Sequence, residues 1–131
     1  MRWPRLMLPG AVVVALLAAG GVWWWQQPSE AALVAVAITG GDPARAPALL
    51  RHYGCAGCHS IPGVPGADGQ VGAPLAGLRA RVFIGGVVPN TTDNLIAWLR
   101  DPRALSPRTA MPATGITEAE ARDVAAFLYS R

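Results

Sequence analysis

The chain has 131 residues, 52% of them hydrophobic and 15% charged, against a charged share of roughly 25% in an average soluble protein. This excludes disorder, and the length fits one domain of about 100–200 residues. Eleven Arg and no Lys face eight acids for +3, but from Gln26 onward the surplus is one, so despite an isoelectric point near 9.5 no basic stripe is left to bind nucleic acid.

The first predicted element is a transmembrane helix over residues 1–25. No charge occurs between Arg5 and Glu30, and Leu6 to Trp25 supplies 20 residues, about 30 Å as a helix and the thickness of a bilayer core. Arg2 and Arg5 ahead of it place the N-terminus in the cytoplasm by the positive-inside rule, and Trp3 and Trp23 to Trp25 fall at the two interfaces. Cleavage as a signal peptide near Ala18 to Gly21 is the competing reading, but it would leave a mature chain starting on exposed Trp. Either way the remainder is exported. The expected location is the cell inner membrane, single-pass, with the rest of the chain on the periplasmic side.

Residues 26–42 read as a linker reaching about 20–25 Å as a coil. Within it Ala31 to Ile38 is entirely apolar, which calls for burial against membrane, against its own domain or against another subunit. A membrane helix continuing past Trp25 fits as well.

A third segment, 43–131, opens with a short helix started by Asp42-Pro43 or Ala46-Pro47, made apolar by Leu49, Leu50 and Tyr53 and ended by Gly54. It delivers the two cysteines of the chain, Cys55 and Cys58, in the run CAGCH with His59. Two exported cysteines three apart, followed at once by His, are the signature of covalent c-type haem attachment. Spaced by one helical turn, both sulfurs project from one face and reach the two vinyl groups of one porphyrin, and His59 faces the iron. A thiol–disulfide exchange site would need a βαβ pattern that is missing around residues 40–70. Zinc on His52, Cys55, Cys58 and His59 would lack the usual two separated ligand clusters.

The second axial ligand is expected to be Met111, 52 positions after His59; His52 sits on the proximal segment, as a surface histidine. His–Met ligation belongs to electron-transferring cytochromes. Ser60 to Asn90, rich in Gly and Pro, shows no sustained period and reads as a long loop packed on haem. Thr91 or Thr92 caps a next helix carrying Leu95, Ile96, Trp98 and Leu99 and stopped by Pro102. A final helix opens on a Thr117–Glu120 capping box and carries the stripe Ala121, Val124, Ala125, Leu128. A domain this small is marginal on its own core, so the apo-form is expected to fold poorly.

With GCAGCHSIPGVPG, VGAPLAG, NTTDNLIAWLRDP, SPRTAMP and ITEAEARDVAAFL in that order, the stretch from about Ala44 to Arg131 resembles a class I c-type cytochrome. Within that family it is similar to the domains attached to, or expressed beside, haem–copper oxidases. The resemblance implies an all-α class I cytochrome c fold around one covalent haem c, here behind one N-terminal transmembrane helix, with His59 and Met111 as axial ligands. It implies that the Ala73 carbonyl, in a Gly72-Ala73-Pro74-Leu75 turn that departs from the usual Gly-Pro-x-Leu, accepts the free N–H of His59. It offers Arg79, Arg81, Asn90 and Thr109 as propionate donors and Trp98 as distal-pocket packing. With both axial positions filled no open site is left for a substrate, so no catalytic residue is expected: the chain reads as an electron carrier in a respiratory chain, not an enzyme. Its expected partners are the membrane, terminal oxidase or other respiratory subunits, and other redox proteins.

Overall fold

The computed structural model describes residues 7–25 and 27–131. Arg2, Trp3, Arg5 and Leu6, on which orientation and the start of the expected span rest, lie outside them. Helix α1 covers Met7–Trp25, and every residue from Gly10 to Trp25 is exposed. Among the described residues no helix is long and apolar enough to cross a membrane; the run expected to span begins before them, at Leu6.

The apolar stretch after it is helix α2, Glu30–Thr39. Ser29 starts it by accepting from Ala32 N at 3.2 Å, the standard way to satisfy a first-turn N–H, and Gly40 ends it in the left-handed region at φ 67°. Of the burials left open for Ala31 to Ile38, the structure supplies one on the inner face: α2 lies on helix α6, Glu118–Tyr129, with Ala35 and Thr39 buried.

Helix α6 is the spine. Its capping box is formed, with Thr117 Oγ1 accepting from Glu120 N and Glu120 Oε2 accepting from Thr117 N. From Val124 through Tyr129 every residue is buried. Helix α3, Ala46–His52, and helix α4, Thr92–Arg100, both pack on it, adding Ala46, Leu50, Leu95, Ile96 and Leu99 to one core. A one-turn helix α5, Pro102–Leu105, follows with Pro102 at its start.

The stretch read as a loop is ordered by its own small ladders. Ser60 and Asp68 form an isolated antiparallel bridge, and strands β1, Phe83–Ile84, and β2, Val88–Pro89, pair antiparallel. The expected helical fold is thus present as a mostly helical one, with a short two-stranded hairpin added. Ile61, Val64, Leu78 and Ile84 turn inward from this stretch into the core, which is why it holds together without long-period secondary structure.

Where the chain leaves α2 it crosses α6 closely. A Cβ on Gly41 would lie 2.5 Å from Asp123 N. Asp42 N donates to Asp123 Oδ1 at 2.7 Å, and Arg122 Nη1 donates to Thr39 O at 3.1 Å. Asp123, only 5% exposed, also faces Arg45 Nη1 across 3.0 Å with its Oδ2, an ion pair without hydrogen-bond geometry. Asp123→Ala leaves the Asp42 N–H and the Arg45 charge without this partner, and is expected to cost about 2–3 kcal/mol in denaturant unfolding at neutral pH. An unchanged midpoint would show that the crossing is held by packing alone.

Candidate haem-attachment site

Helix α3 ends on Tyr53, whose N–H returns to Leu49 O at 2.9 Å, and Gly54 then turns the chain through φ 73°. A 3-10 turn over Cys55–Gly57 follows. Cys58 N and His59 N both donate to Cys55 O, at 3.2 and 3.0 Å, so the attachment motif is one closed turn. The two thiols are unbonded, Cys55 half-buried and Cys58 exposed.

The turn is backed by residues 69–75. A Cβ on Gly69 would lie 2.7 Å from Gly57 O, and one on Gly72 would lie 2.6 Å from His59 Nδ1 and 2.8 Å from its Nε2. Gly72 N donates to Cys58 O at 2.7 Å, and Leu75 N to Ser60 O at 2.9 Å. His59 Nδ1 lies 2.6 Å from Ala73 O. A carbonyl only accepts, so Nδ1 is the donor in this contact, which in the neutral ring leaves Nε2 as the nitrogen a metal could bind. Beside Ala73, Arg81 Nη2 donates to both Pro74 O and Ala76 O.

The candidate propionate donors divide by what they already hold. Arg81 is committed to those two carbonyls. Asn90 gives both amide hydrogens to Leu78 O and Arg81 O, at 2.8 and 2.9 Å, and its Oδ1 accepts from Tyr129 OH at 2.7 Å, so its role here is to brace the loop against α6. Arg79 stands exposed on the second 3-10 turn, Leu78–Ala80. Burial raises the Tyr129 hydroxyl pKa, and the Arg79 charge opposes that shift. Thr109 is half-buried, and its Oγ1 accepts from Met111 N at 3.3 Å.

Trp98 of α4 donates its Nε1–H to Met111 Sδ at 3.1 Å. Trp98 is itself held by Gly85, where φ is +57° and a Cβ would lie 2.7 Å from the indole Cζ2. Cys55, Leu75, Trp98 and Met111 all border the same core, so the attachment turn and the methionine loop share one foundation. His52 packs edge-on to Tyr53, with ring centroids 4.8 Å apart, and is exposed. Gly69 and Gly85 carry much of this geometry without having stood out in the sequence, whereas Gly72 was marked as the start of its turn.

A second lock sits behind the motif. Glu120 Oε2 accepts from Thr117 Oγ1 at 2.6 Å and from Tyr53 OH at 2.8 Å. These donors, Thr117 foremost, hold the Glu120 carboxyl below its ordinary value of 4.5, and the bond to Glu120 pushes the Tyr53 hydroxyl above its ordinary 10.0. A lowered acid contributes stability above its unfolded pKa and loses it as pH falls through the folded one; a raised phenol contributes below its unfolded pKa and loses it as pH rises through the folded one. Stability is therefore expected to drop below about pH 4.5 and above about pH 10. Tyr53→Phe is expected to flatten the alkaline limb in denaturant titrations, and an alkaline limb identical to the parent's would sink this assignment.

The alternatives for the cysteines fare worse. Burial, the largest influence on Cys55, raises its thiol pKa, with the neighbouring Cys58 adding to the effect. An exchange-active cysteine needs the opposite shift. Among the described residues no group of three or more His, Cys, Asp or Glu is placed to hold a metal ion. For haem c the residues fit: a closed turn with two free thiols, an imidazole with Nε2 available and Nδ1 tied, and a thioether held by a neighbouring N–H.

A mostly helical body with this attachment turn defines the class as haem-binding electron-transfer domains. Residues 43–131 match the family model Cytochrome c, and the chain belongs to that family, as a class I cytochrome c related to oxidase-associated domains. A curated relative is the cytochrome c oxidase subunit 2 of Alkalihalophilus pseudofirmus, 34% identical over 83 residues, which are 63% of this chain and 23% of that protein. The chain thus spans about a quarter of the relative it matches. No solved structure matches it.

Proposed function

We propose that this cytochrome c is a membrane-anchored, exported carrier of single electrons that serves a respiratory chain, delivering to or working within a terminal oxidase. The observation that carries the electron-transfer reading is the preparation of His59, whose Nδ1 is tied to Ala73 O and whose Nε2 is left to bind iron. Cys55 and Cys58 would hold the porphyrin through their sulfurs, and His59 and Met111 would hold its iron. When bound, haem supplies a one-electron Fe(II)/Fe(III) couple. The protein fixes the two ligands, keeps water from most of the ring and leaves an edge for partners. With Met111 as well as His59 engaged, the site would be a relay without a substrate position.

The charge-free run ending in three Trp supports the anchor, together with the unbroken helix α1. The related oxidase subunit supports the oxidase as partner. Arg2 and Arg5 support an exported domain on the periplasmic face. A reduced membrane fraction is expected to show a c-type visible spectrum, and a denaturing gel stained for haem is expected to show a band at the full-length mass. A colourless band, from a host with working cytochrome maturation, overturns the reading, and a stained band shortened by the N-terminal segment overturns the anchor alone.

The second reading is a permanent subunit of an oxidase or dehydrogenase, favoured by the exposed Leu33 and Ile38 of α2. It predicts co-purification with large membrane subunits in mild detergent, where a free carrier is released.

A further inference from the structure

A helix that is apolar all round is stable only when covered on all sides, and α2 is such a helix. Its one charge is Glu30, in the first turn, where the helix N-terminus favours a carboxylate. Ala32, Ala35 and Thr39 share the face turned to α6, and at 100° per residue Leu33, Val34 and Ile38 fall on the other side. These remain open, with Leu33 57% and Ile38 45% exposed. Ala31 and Ala37 lie exposed beside them, and the exposed Glu30 stands on the same side at the start of the helix, so beyond that first residue the outer face carries no polar side chain.

The place of this face along the chain decides what covers it. Four residues, 26–29, separate the ends of α1 and α2, a reach of at most about 17 Å even when fully extended, and a turn from Gln27 N to Trp24 O at 3.3 Å shortens it. If Trp23 to Trp25 stand at the bilayer interface, α2 starts within that distance of the lipid surface.

We infer that the outer face of α2, carrying Leu33, Val34 and Ile38, lies on the lipid surface beside the anchor, so that α2 is sandwiched between bilayer and α6. The inference rests on the anchor proposed above. Its consequence is orientation: the Gly41–Asp123 crossing, the Asp42–Asp123 bond and the Arg122–Thr39 bond join α2 firmly to α6. The haem domain is then held in one attitude to the membrane and does not swing on a loose tether.

The test uses the full-length holoprotein in phosphatidylcholine vesicles, spin-labelled at single cysteines replacing Leu33 or Ile38, with Asp93→Cys and Arg103→Cys as solvent references. The native cysteines are consumed by haem, and an intact Soret band shows that each variant has folded. The ratio of oxygen to nickel-chelate accessibility is expected to be several-fold higher at 33 and 38 than at the references. Nickel accessibility equal to the references, in protein that sediments with vesicles after carbonate washing, overturns the inference and leaves the anchor standing. Labels shut off from both reagents and broadened by each other assign the face to a second copy and overturn it too. Protein that fails to sediment overturns the anchor and this inference together, while the Soret band keeps the cytochrome reading intact.

Discussion

Gly72→Ala is expected to cut the yield of six-coordinate, low-spin holoprotein by about 10–100-fold, the usual cost of disturbing the groups that orient a metal ligand. The added Cβ would lie 2.6 and 2.8 Å from the two ring nitrogens of His59, well inside van der Waals contact. The ring cannot retreat and keep its bond to Ala73 O, and Gly72 cannot retreat and keep its own to Cys58 O. The matched control is Gly57→Ala, where a Cβ meets nothing within 4 Å and the CxxCH spacing is untouched; it is expected to mature normally. Equal low-spin yields from the two variants, read from the reduced visible spectrum per mole of protein, would refute the cradle.

Trp98→Phe is expected to lower the reduction potential while leaving the domain folded. The Nε1–H of Trp98 withdraws electron density from Met111 Sδ across 3.1 Å. If Met111 holds the iron as proposed, a thioether so polarised would donate less and disfavour the ferric state. One such hydrogen bond is worth about 1 kcal/mol, which for a one-electron couple is about 40 mV. Phe lacks the far indole edge, Cζ2, Cζ3 and Cη2, that meets Gly85, so the potential reports on the N–H only in a variant whose low-spin spectrum matches the parent's. A potentiometric titration that places parent and variant at the same midpoint would leave Trp98 as filler alone.

Much of the site was legible because its signals are local. Cys55, Cys58 and His59 lie within one turn, and Thr117 and Glu120 cap a helix three residues apart. The identity of the residue opposite His59 Nδ1, Ala73, followed from a short turn that family resemblance had marked. Arg81 and Asn90 are different. Nothing in their neighbourhood told that their hydrogen-bonding capacity is taken by Pro74, Ala76 and Leu78, because which carbonyls a side chain meets depends on how the loop closes. Gly69 and Gly85 were equally silent, since a glycine required by a close approach looks in sequence like any loop glycine.

The sequence by itself determined the chemistry and the helices around it: a covalent attachment motif, a distant thioether, and amphipathic stripes whose period is written in consecutive residues. Only the tertiary structure decided what α2 does. Ala31 to Ile38 reads the same whether it lies in lipid, on a partner or on its own domain, because apolar composition states a need for burial without naming the surface. The choice of α6 comes from partners more than 80 positions away, Asp42 with Asp123 and Thr39 with Arg122. Those bonds exist only once α6 has formed and the chain crosses it at Gly41, where the absence of a side chain lets two backbones touch.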